Sequence, residues 1–298
     1  MAQVFGKDDP IGFIGLGVMG SGMTLCLLRA GFQVHVYARR DAAARPAVEA
    51  GAQRAASPAD VGQACRLVFL CVSDDAAVEE VLFADGSLAH GLAAGSVVVD
   101  TSTIAATSAR SFAKRLAERG IAFLDAPISG GQQGAESGTL ACMIGGPAEA
   151  VEACRPVMAA FCKVVTHVGA VGAGQTVKAC NQVAVAGAML GVADAIALAQ
   201  SQGVDLKVMR EVLLGSTGRS FALEKHGQRV LAGDFQPGFR ARLMRKDLRI
   251  ALETGRSGGV ALQGAALAER LVGELCDGGQ GEMDWNSVAK VVQGKKAR

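Results

Sequence analysis

Six residues near the N-terminus have the spacing of a phosphate-binding turn. The segment Gly15-Leu16-Gly17-Val18-Met19-Gly20 matches the pattern G-x-G-x-x-G. It follows the apolar run Ile11–Ile14 and opens a helix-like stretch that ends near Ala30, after which a second apolar run begins. In that setting the first glycine permits a tight turn, the second lets the backbone approach a pyrophosphate, and the third lets the helix pack on the strand. The segment predicts a dinucleotide site, and the alternative is a purely structural turn.

The residues about twenty positions further on bear on which dinucleotide binds. An enzyme that uses NAD places a carboxylate there to bind the ribose 2′-hydroxyl, whereas this chain has Ala38-Arg39-Arg40. Two guanidinium groups can bind a 2′-phosphate bidentately, so we predict NADP in preference to NAD. Asp41 leaves NAD open, because a small loop shift could bring its carboxylate to the ribose.

Other reactive side chains form no recognisable site. The 8 cysteines and 4 histidines are scattered, with no C-x-x-C pair and no histidine at metal-ligand spacing. We therefore predict reduced core thiols and no metal site. The serines lack a G-x-S-x-G elbow, so a hydrolase would have no nucleophile.

The elements that must position the site change in type along the chain. From Pro10 to about His167, short apolar runs alternate with amphipathic stretches, which is typical of a parallel sheet with crossover helices. After about Gly172 only helical periodicity remains. Strands are predicted at residues 11–14, 33–37, 67–72, 96–100, 121–124, 139–144 and 164–167, and one long helix at residues 173–202.

This change predicts two domains. We expect an α/β Rossmann-like N-terminal domain over residues 1–170 and an all-α C-terminal domain over residues 171–298, with the long helix linking them and the active site in the cleft.

Composition and charge exclude several classes of partner. With 30 Lys and Arg against 28 Asp and Glu, the net charge of +2 does not favour nucleic acid. The first ten residues contain acids and no apolar signal core, and the apolar run Val183–Ala193 is shorter than the ~20 residues that cross a bilayer. We expect a cytoplasmic protein that does not contact membranes. A helical domain so rich in Ala and Gly should leave an apolar face to cover, which predicts a homodimer or homotetramer.

Four segments, in order, resemble those of the β-hydroxyacid dehydrogenases, the family that contains 3-hydroxyisobutyrate dehydrogenase and tartronate semialdehyde reductase. The likeness runs from Ile11 to about Val291. It implies a 6-phosphogluconate dehydrogenase-like fold and reversible hydride transfer between NAD(P) and a small 3-hydroxy acid or its semialdehyde. The four segments are Gly15–Gly20; Asp125-Ala126-Pro127-Ile128-Ser129-Gly130-Gly131 with Gly138-Thr139-Leu140; Gly172-Ala173-Gly174-Gln175-Thr176-Val177-Lys178 with Asn181; and Lys246-Asp247-Leu248.

The resemblance implies a catalytic role for Lys178. The matching lysine of the family is the acid/base: it takes the hydroxyl proton when the alcohol is oxidised and returns it when the aldehyde is reduced. A lysine with its ordinary pKa of ~10.4 would be a poor base, but burial and a nearby positive charge, such as that of Lys246, can lower the pKa. The alternative is a solvated helix residue that buries only its stem.

The resemblance also implies a substrate site. The turn Ser129-Gly130-Gly131 can receive a carboxylate through backbone N–H groups and the serine hydroxyl. Some family members have asparagine four residues after the lysine, where this chain has Gln182, while Asn181 falls at i+3. Which of the two amides orients the substrate therefore stays open, and both are candidates. Lys246 and Phe239 complete the set, with a solvated basic helix face and an ordinary core side chain as their alternatives.

Further cofactor contacts are predicted after the strands. Thr103 resembles the family's residue beside the nicotinamide, although it could simply cap the next helix. The other predicted contacts are Val72, Ser73, Lys246 and Asp247.

Three alternatives stay open at this point. An imine reductase would share both domains but generally lacks the motif lysine. A decarboxylating 6-phosphogluconate dehydrogenase would need a longer C-terminal part. A non-catalytic dinucleotide-binding module would bind cofactor and reduce no semialdehyde.

Overall fold

The computed structural model describes residues 4–294 of the chain. Contacts divide the chain into two compact units between Lys178 and Ala179. The sequence placed the change at residues 170 and 171, just before helix α9 (Ala173–Ser201), whose first turns belong to the first unit. A continuous helix carries no local signal where its packing partners change, so the composition change marks the start of the helix and not the limit of the unit.

Within the described residues, nine strands of the first unit form one sheet in the order β3-β2-β1-β4-β5-β6-β8-β7, with β9 also paired to β8. The pairs from β3 to β6 are parallel. This half has the strand order of a dinucleotide-binding fold. The strands are β1 Ile11–Ile14, β2 Val34–Tyr37, β3 Gln53–Arg54, β4 Leu67–Leu70, β5 Val97–Asp100, β6 Ala122–Asp125, β7 Ile128–Ser129, β8 Leu140–Gly145 and β9 Cys162–Gly169.

The far end of the sheet differs from the predicted parallel arrangement. Strand β8 pairs antiparallel with β6 and β7 and parallel with β9. All seven predicted strands are present, whereas β3 and β7 were not predicted. Each of these two strands has only two residues, too few for any periodicity, and tertiary pairing alone makes them strands.

Helices cover both faces of the sheet, because alternate strand residues point to opposite sides. Phe13 and Phe69 lie in one core cluster, and their neighbours Ile14 and Leu70 lie in another. The helices of this unit before α9 are α1 Val18–Arg29, α2 Asp41–Glu49, α3 Pro58–Ala64, α4 Asp75–Phe83, α5 Leu88–Gly91, α6 Ala106–Ala117, α7 Gly131–Ser137 and α8 Ala148–Met158.

The second unit is helical, as predicted, apart from one antiparallel bridge between Arg240 and Asp284 among the described residues. Its core contains Met189, Met244 and Trp285. After α9 come α10 Leu206–Leu214, a π-helix Ala222–Gly227, α11 Gln228–Leu231, α12 Ala241–Ser257, α13 Gln263–Leu275, a second π-helix Cys276–Gln280, a 3₁₀ turn Trp285–Ser287 and α14 Val288–Gln293.

Helix α9 is long and apolar enough to cross a membrane by length and composition alone, with a mean hydropathy of 1.7 in its most apolar window. The apolar run Val183–Ala193 is only the middle of this helix, which continues past Asp194 to Ser201, so the length of the run alone does not exclude a span. The core helix of a soluble protein passes the same test, and Met189, Ala193 and Ile196 lie in the core of the second unit.

Candidate active site

The glycine-rich turn lies where the strand order reverses, beyond the carboxyl ends of β1 and β4. In open α/β sheets this crevice is where ligands bind. Gly15 follows β1 with φ +98°, a left-handed conformation that favours glycine. A Cβ there would also collide with the carbonyl of Cys71, just after β4. The first glycine therefore lets two strand ends approach each other.

The second and third glycines have different surroundings. A Cβ on Gly17 would meet nothing within 4 Å, whereas one on Gly20 would press against Gly15 and lie 3.1 Å from the Phe13 ring. Gly17 is also the N-cap of α1, and no side chain caps this helix. The N-terminus of α1 thus combines an open approach with backbone N–H groups and a favourable dipole, so the turn fits a pyrophosphate. Of the residues between the glycines, Leu16 is buried and Val18 is 51% exposed.

Two arginines follow β2. Ala38 is buried, while the Arg39 side chain is 74% exposed and lies 3.7 Å from Glu80, a pair too solvated to fix it. Arg40 is the N-cap residue of α2. Asp41, which left NAD open, lies 2.6 Å from Arg54 of β3. Its carboxylate is therefore already in an ion pair.

Two carboxylates end neighbouring strands of the sheet. Asp100 of β5 is opposite Asp125 of β6, and both are fully buried. One oxygen of Asp100 accepts a hydrogen bond from Ser102 N (3.0 Å), and the other has no hydrogen-bond partner in the described part of the chain. Burial raises the pKa of Asp100 to about 7.

The loop after β5 is tied to the end of β4. The Thr101 hydroxyl donates to Leu70 O (2.6 Å), and the Ser102 hydroxyl accepts from Val72 N (2.9 Å). The predicted cofactor contacts Val72, Ser73 and Thr103 follow the adjacent parallel strands β4 and β5, at the same carboxyl ends of the strands as the glycine-rich turn. Val72 and Thr103 are half-buried, and Ser73 is exposed.

Asp125 caps helix α9 from a distant part of the chain. Its two oxygens accept hydrogen bonds from Gly172 N (2.7 Å) and Gln175 N (2.8 Å). A Cβ on Gly174 would lie 2.5 Å from the carbonyls of Asp125 and Met143, so only glycine allows this approach. Burial raises the pKa of Asp125, while these backbone donors oppose the shift. Asp125 is part of a family-like segment of the sequence, but the sequence alone did not reveal its capping role.

Lys178 lies further along the same helix. It is 7% exposed, and its Nζ donates a hydrogen bond to Ile128 O (2.9 Å), in the strand that carries Ser129. The alternative of a solvated lysine is therefore wrong. The ammonium group is buried next to the predicted carboxylate turn.

That turn is more regular than a flexible loop. Ser129 ends β7, Gly130 has φ +137°, and Gly131 begins α7. A Cβ on Gly130 would come within 3.0 Å of the Leu140 side chain. The backbone conformation therefore favours glycine at position 130, and a Cβ would in addition press on the end of the Leu140 side chain.

Helix α7 packs directly on α1, the helix of the dinucleotide turn. A Cβ on Gly22 would lie 2.9 Å from the Ala135 backbone, and the Cys26 thiol donates to Ala135 O (3.2 Å). Small residues thus allow close contact between the two helices that follow the glycine-rich turn and the Ser129 turn.

In the second unit, Asp247 holds two predicted site residues. Its carboxylate accepts a hydrogen bond from Gln182 Nε2 (2.7 Å) and lies 3.2 Å from Lys246 Nζ. Gln182 Oε1 in turn accepts from Asn181 Nδ2 (2.9 Å). Gln182 and Asp247 are buried, Asn181 is half-buried, and Lys246 is 25% exposed at its side chain. Both polar ends of Gln182 are therefore committed within the protein.

Phe239 precedes α12 and is positioned by a residue that sequence reasoning missed. Asp284 is buried and accepts from Phe239 N (3.0 Å), Gly238 N (2.8 Å) and Arg229 Nη1 (3.0 Å). Phe239 packs against the core of the second unit, which favours the alternative of a core side chain. Asp284 also caps the 3₁₀ turn Trp285–Ser287 by accepting from Asn286 N (3.1 Å), which is a local pattern. Its contacts to Phe239, Gly238 and Arg229 span 45 to 55 residues, so no local pattern could have revealed its role in positioning Phe239.

The fold and the glycine-rich turn are those of a dinucleotide-binding protein of the Rossmann type. A family model described as the NAD-binding domain of 6-phosphogluconate dehydrogenase matches residues 10–169, and one described as NAD-binding of NADP-dependent 3-hydroxyisobutyrate dehydrogenase matches residues 172–292. The chain belongs to the β-hydroxyacid dehydrogenase family.

Named relatives are similar to this chain over nearly its full length. The chain is 39% identical to NAD-dependent L-serine dehydrogenase of Pseudomonas aeruginosa, covering 94% of this chain and 97% of the relative. It is 35% identical to 2-hydroxy-3-oxopropionate reductase of Escherichia coli, covering 95% and 97%.

Solved structures show the same architecture. The 3-hydroxyisobutyrate dehydrogenase of Mycobacterium tuberculosis with L-serine matches with a TM-score of 0.89 at 28% identity, over 96% of this chain and 99% of that one. Psf3 in complex with NADP+ and 2-OPP matches with 0.87 at 30% identity, over 95% and 99%. The imine reductase of Myxococcus stipitatus, at 0.66 and 19% identity over 95% and 99%, shares the fold alone.

These findings confirm the predicted fold and family. The protein is an NAD(P)-dependent oxidoreductase of hydroxy acids or their semialdehydes, and the imine reductases are more distant. The cofactor is a nicotinamide dinucleotide.

Proposed function

We propose that the protein interconverts a small 3-hydroxy acid and its semialdehyde, with Lys178 as general acid/base. The substrate is of the 3-hydroxyisobutyrate or tartronate semialdehyde type, with the succinic semialdehyde type, whose alcohol is a 4-hydroxy acid, as the longer alternative. The observation that carries the proposal is the buried hydrogen bond from Lys178 Nζ to Ile128 O (2.9 Å), because it sets an ammonium group beside the Ser129-Gly130-Gly131 turn.

The chain's own residues would supply proton transfer and orientation. When bound, the nicotinamide donates or accepts the hydride. During reduction Lys178 donates a proton to the carbonyl oxygen, and during oxidation it removes the hydroxyl proton. Its burial keeps bulk water from competing for that proton.

The Ser129 turn would bind the substrate carboxylate. The Ser129 hydroxyl and the N–H groups of Gly130 and Gly131 are suitable donors, because an ionised carboxylate only accepts hydrogen bonds. The relatives support an acid with an oxygen two carbons from the carboxylate, since L-serine and 2-hydroxy-3-oxopropionate both have this arrangement.

We propose that the further substrate contacts come from four residues of the second unit: Asn181, Gln182, Lys246 and Phe239. Of the two amides, we favour Asn181 over Gln182, because Asp247 and Asn181 already occupy both polar ends of Gln182. Lys246 would contact substrate or cofactor, and Phe239 would line the pocket.

We propose NADP as the preferred cofactor, with NAD possible. Arg39 and Arg40 supply positive charge after β2, and this charge supports the proposal. Asp41 lies 2.6 Å from Arg54, but its side chain is 91% exposed, so this pair is too solvated to hold the carboxylate away from a ribose. The contacts proposed for the cofactor are Gly15, Leu16, Gly17, Val18, Met19, Gly20, Ala38, Arg39, Arg40, Val72, Ser73, Thr103, Lys246 and Asp247.

We also propose a cytoplasmic homodimer or homotetramer that does not bind nucleic acid or membranes. Large apolar side chains on α9 and α10 are exposed, among them Leu198 (66%), Val208 (56%) and Val212 (61%). A second copy of the chain would cover them.

The substitution Lys178→Met tests the acid/base assignment. Methionine fills a similar volume but carries no proton, so we expect kcat to fall by about 10³-fold while the Kd for cofactor changes by less than about threefold. The assay is a panel of three- and four-carbon semialdehydes with NADPH and NADH. Lys207→Met, at an exposed position on α10, is the control. Retention of more than a tenth of the activity by Lys178→Met would overturn the assignment.

A further inference from the structure

Gln175 connects the lysine helix to the loop after β5. Its side chain is 2% exposed, and both of its polar atoms are bonded to backbone. Oε1 accepts a hydrogen bond from Ile104 N (3.2 Å), and Nε2 donates one to Ser102 O (2.8 Å). The amide therefore holds the backbone on either side of Thr103.

The main chain of Gln175 is fixed as well. Its N–H donates to Asp125 Oδ2 (2.8 Å), so this first turn of α9 is attached to the end of β6. Gln175 lies three residues before Lys178, on the same face of the helix. One residue thus joins the ends of two neighbouring strands to the turn that carries the lysine.

The loop does not depend on Gln175 alone for its shape. Thr101 and Ser102 already attach it to the end of β4 through Leu70 O and Val72 N. What Gln175 adds is a fixed distance between this loop and α9. Such distances matter to catalysis, because a displacement of about 1 Å can cost roughly 10²-fold in rate.

We propose that Gln175 is a positioning residue that keeps the Thr103 loop in register with Lys178. This inference rests on the proposed function, in which Thr103 lies beside the nicotinamide and Lys178 transfers the proton. Hydride transfer and proton transfer require both groups at one substrate, and the Gln175 amide directly links the segments that carry them.

The first test replaces Gln175 by methionine, which keeps the volume and removes both hydrogen bonds. We expect kcat to fall by about 10- to 100-fold, with KM and the Kd for cofactor changed by less than about threefold. The isotope effect on kcat with cofactor deuterated at the transferred position should rise, because hydride transfer becomes slower than product release. Thr176→Val, which removes a neighbouring hydroxyl that donates to Gly172 O (2.8 Å), just before α9, should stay within about twofold of wild type.

Gln175→Glu provides a readout that a merely structural role would not move. The protonated acid can donate to Ser102 O and accept from Ile104 N, whereas the carboxylate cannot donate and repels the carbonyl. We expect kcat relative to wild type at the same pH to rise by at least about threefold from pH 8.5 to pH 6, since burial favours the protonated acid.

The outcomes separate this inference from the function on which it rests. If Lys178→Met is inactive but Gln175→Met has wild-type kcat and isotope effect, only the positioning role is overturned. If Lys178→Met stays active, the acid/base assignment fails first. If neither Gln175 variant reaches the wild-type circular dichroism spectrum, the side chain serves folding and the positioning role is also overturned.

Discussion

The carboxylates at the ends of β5 and β6 show how hydrogen-bond donors change the effect of burial on a side chain. Asp125 has two backbone donors that offset the loss of water, whereas Asp100 is hydrogen-bonded to Ser102 alone and its second oxygen has no partner in the described chain. A buried carboxylate with few donors favours its protonated form. The two residues are chemically identical, and their environments distinguish them.

Asp100 should make stability depend on pH. Its folded-state pKa of about 7 lies above the ordinary 3.8, so its contribution is fully present below the unfolded pKa and is lost as the pH rises through the folded one. We expect the free energy of unfolding of Asp100→Asn, relative to wild type, to increase by about 2–3 kcal/mol from pH 5 to pH 8.

Urea titrations at both pH values measure this difference. Asp85→Asn, in an exposed loop, is the control and should change the free energy of unfolding little at either pH. An equal effect of Asp100→Asn at pH 5 and pH 8 would contradict the prediction.

The arginines after β2 should determine cofactor choice. We expect the double substitution Arg39→Ala and Arg40→Ala to lower kcat/KM for NADPH by about 10-fold or more and that for NADH by less than about threefold, because only NADP has the 2′-phosphate. Arg45→Ala, exposed on α2, is the control. A wild-type kcat/KM that is tenfold higher with NADH than with NADPH would contradict the NADP proposal.

Among the elements, α7 depends most on backbone geometry. It has only seven residues, starts from Gly130 and Gly131 at positive φ, and ends at Gly138 in the left-handed conformation. Its contact with α1 requires small residues at Gly22 and Ala135. Glycine therefore decides both where this helix lies and how closely it approaches the dinucleotide turn.

Gly130→Ala should disturb this element. A Cβ at φ +137° with Leu140 at 3.0 Å should lower the free energy of unfolding by about 1–3 kcal/mol, and it should raise KM for the carboxylate substrate more than it lowers kcat. Gly264→Ala, on α13 with open space around its Cβ, is expected to be neutral or slightly stabilising. A Gly130→Ala enzyme with unchanged KM and stability would show that the turn tolerates a side chain.

For the whole molecule, the exposed apolar surface of α9 and α10 is the feature to explain. Helix α10 has no buried residue, although its Asp205 N-cap is well formed through the N–H groups of Lys207 and Val208. Exposed aliphatic side chains cost free energy in water, and association removes that cost.

Charge on this surface should therefore change the oligomeric state. We expect wild-type protein to elute as a dimer or tetramer, and Leu198→Glu with Val212→Glu to shift it toward smaller species at micromolar concentration, because buried unpaired carboxylates are costly. Val260→Glu, at an exposed residue after α12 (56%), should leave the elution volume unchanged. A wild-type protein that sediments as a monomer would rule out this use of the surface.

The amino-acid sequence by itself determined the features that depend on residues close together in the chain. The glycine turn, the seven longer strands and α9 were predicted to within two residues at their ends, since each has its own periodicity or its own turn residues. The four ordered motifs were sufficient to predict the family.

Only the tertiary structure decided how the side chains of the site are held. Asp125 caps α9 across 47 and 50 residues, Gln175 holds the Thr103 loop across 71 and 73, and Asp247 holds Gln182 across 65. The two-residue strands β3 and β7 belong to the same class. Such contacts have no local period or spacing, because they depend on which elements the folded sheet and helices bring together.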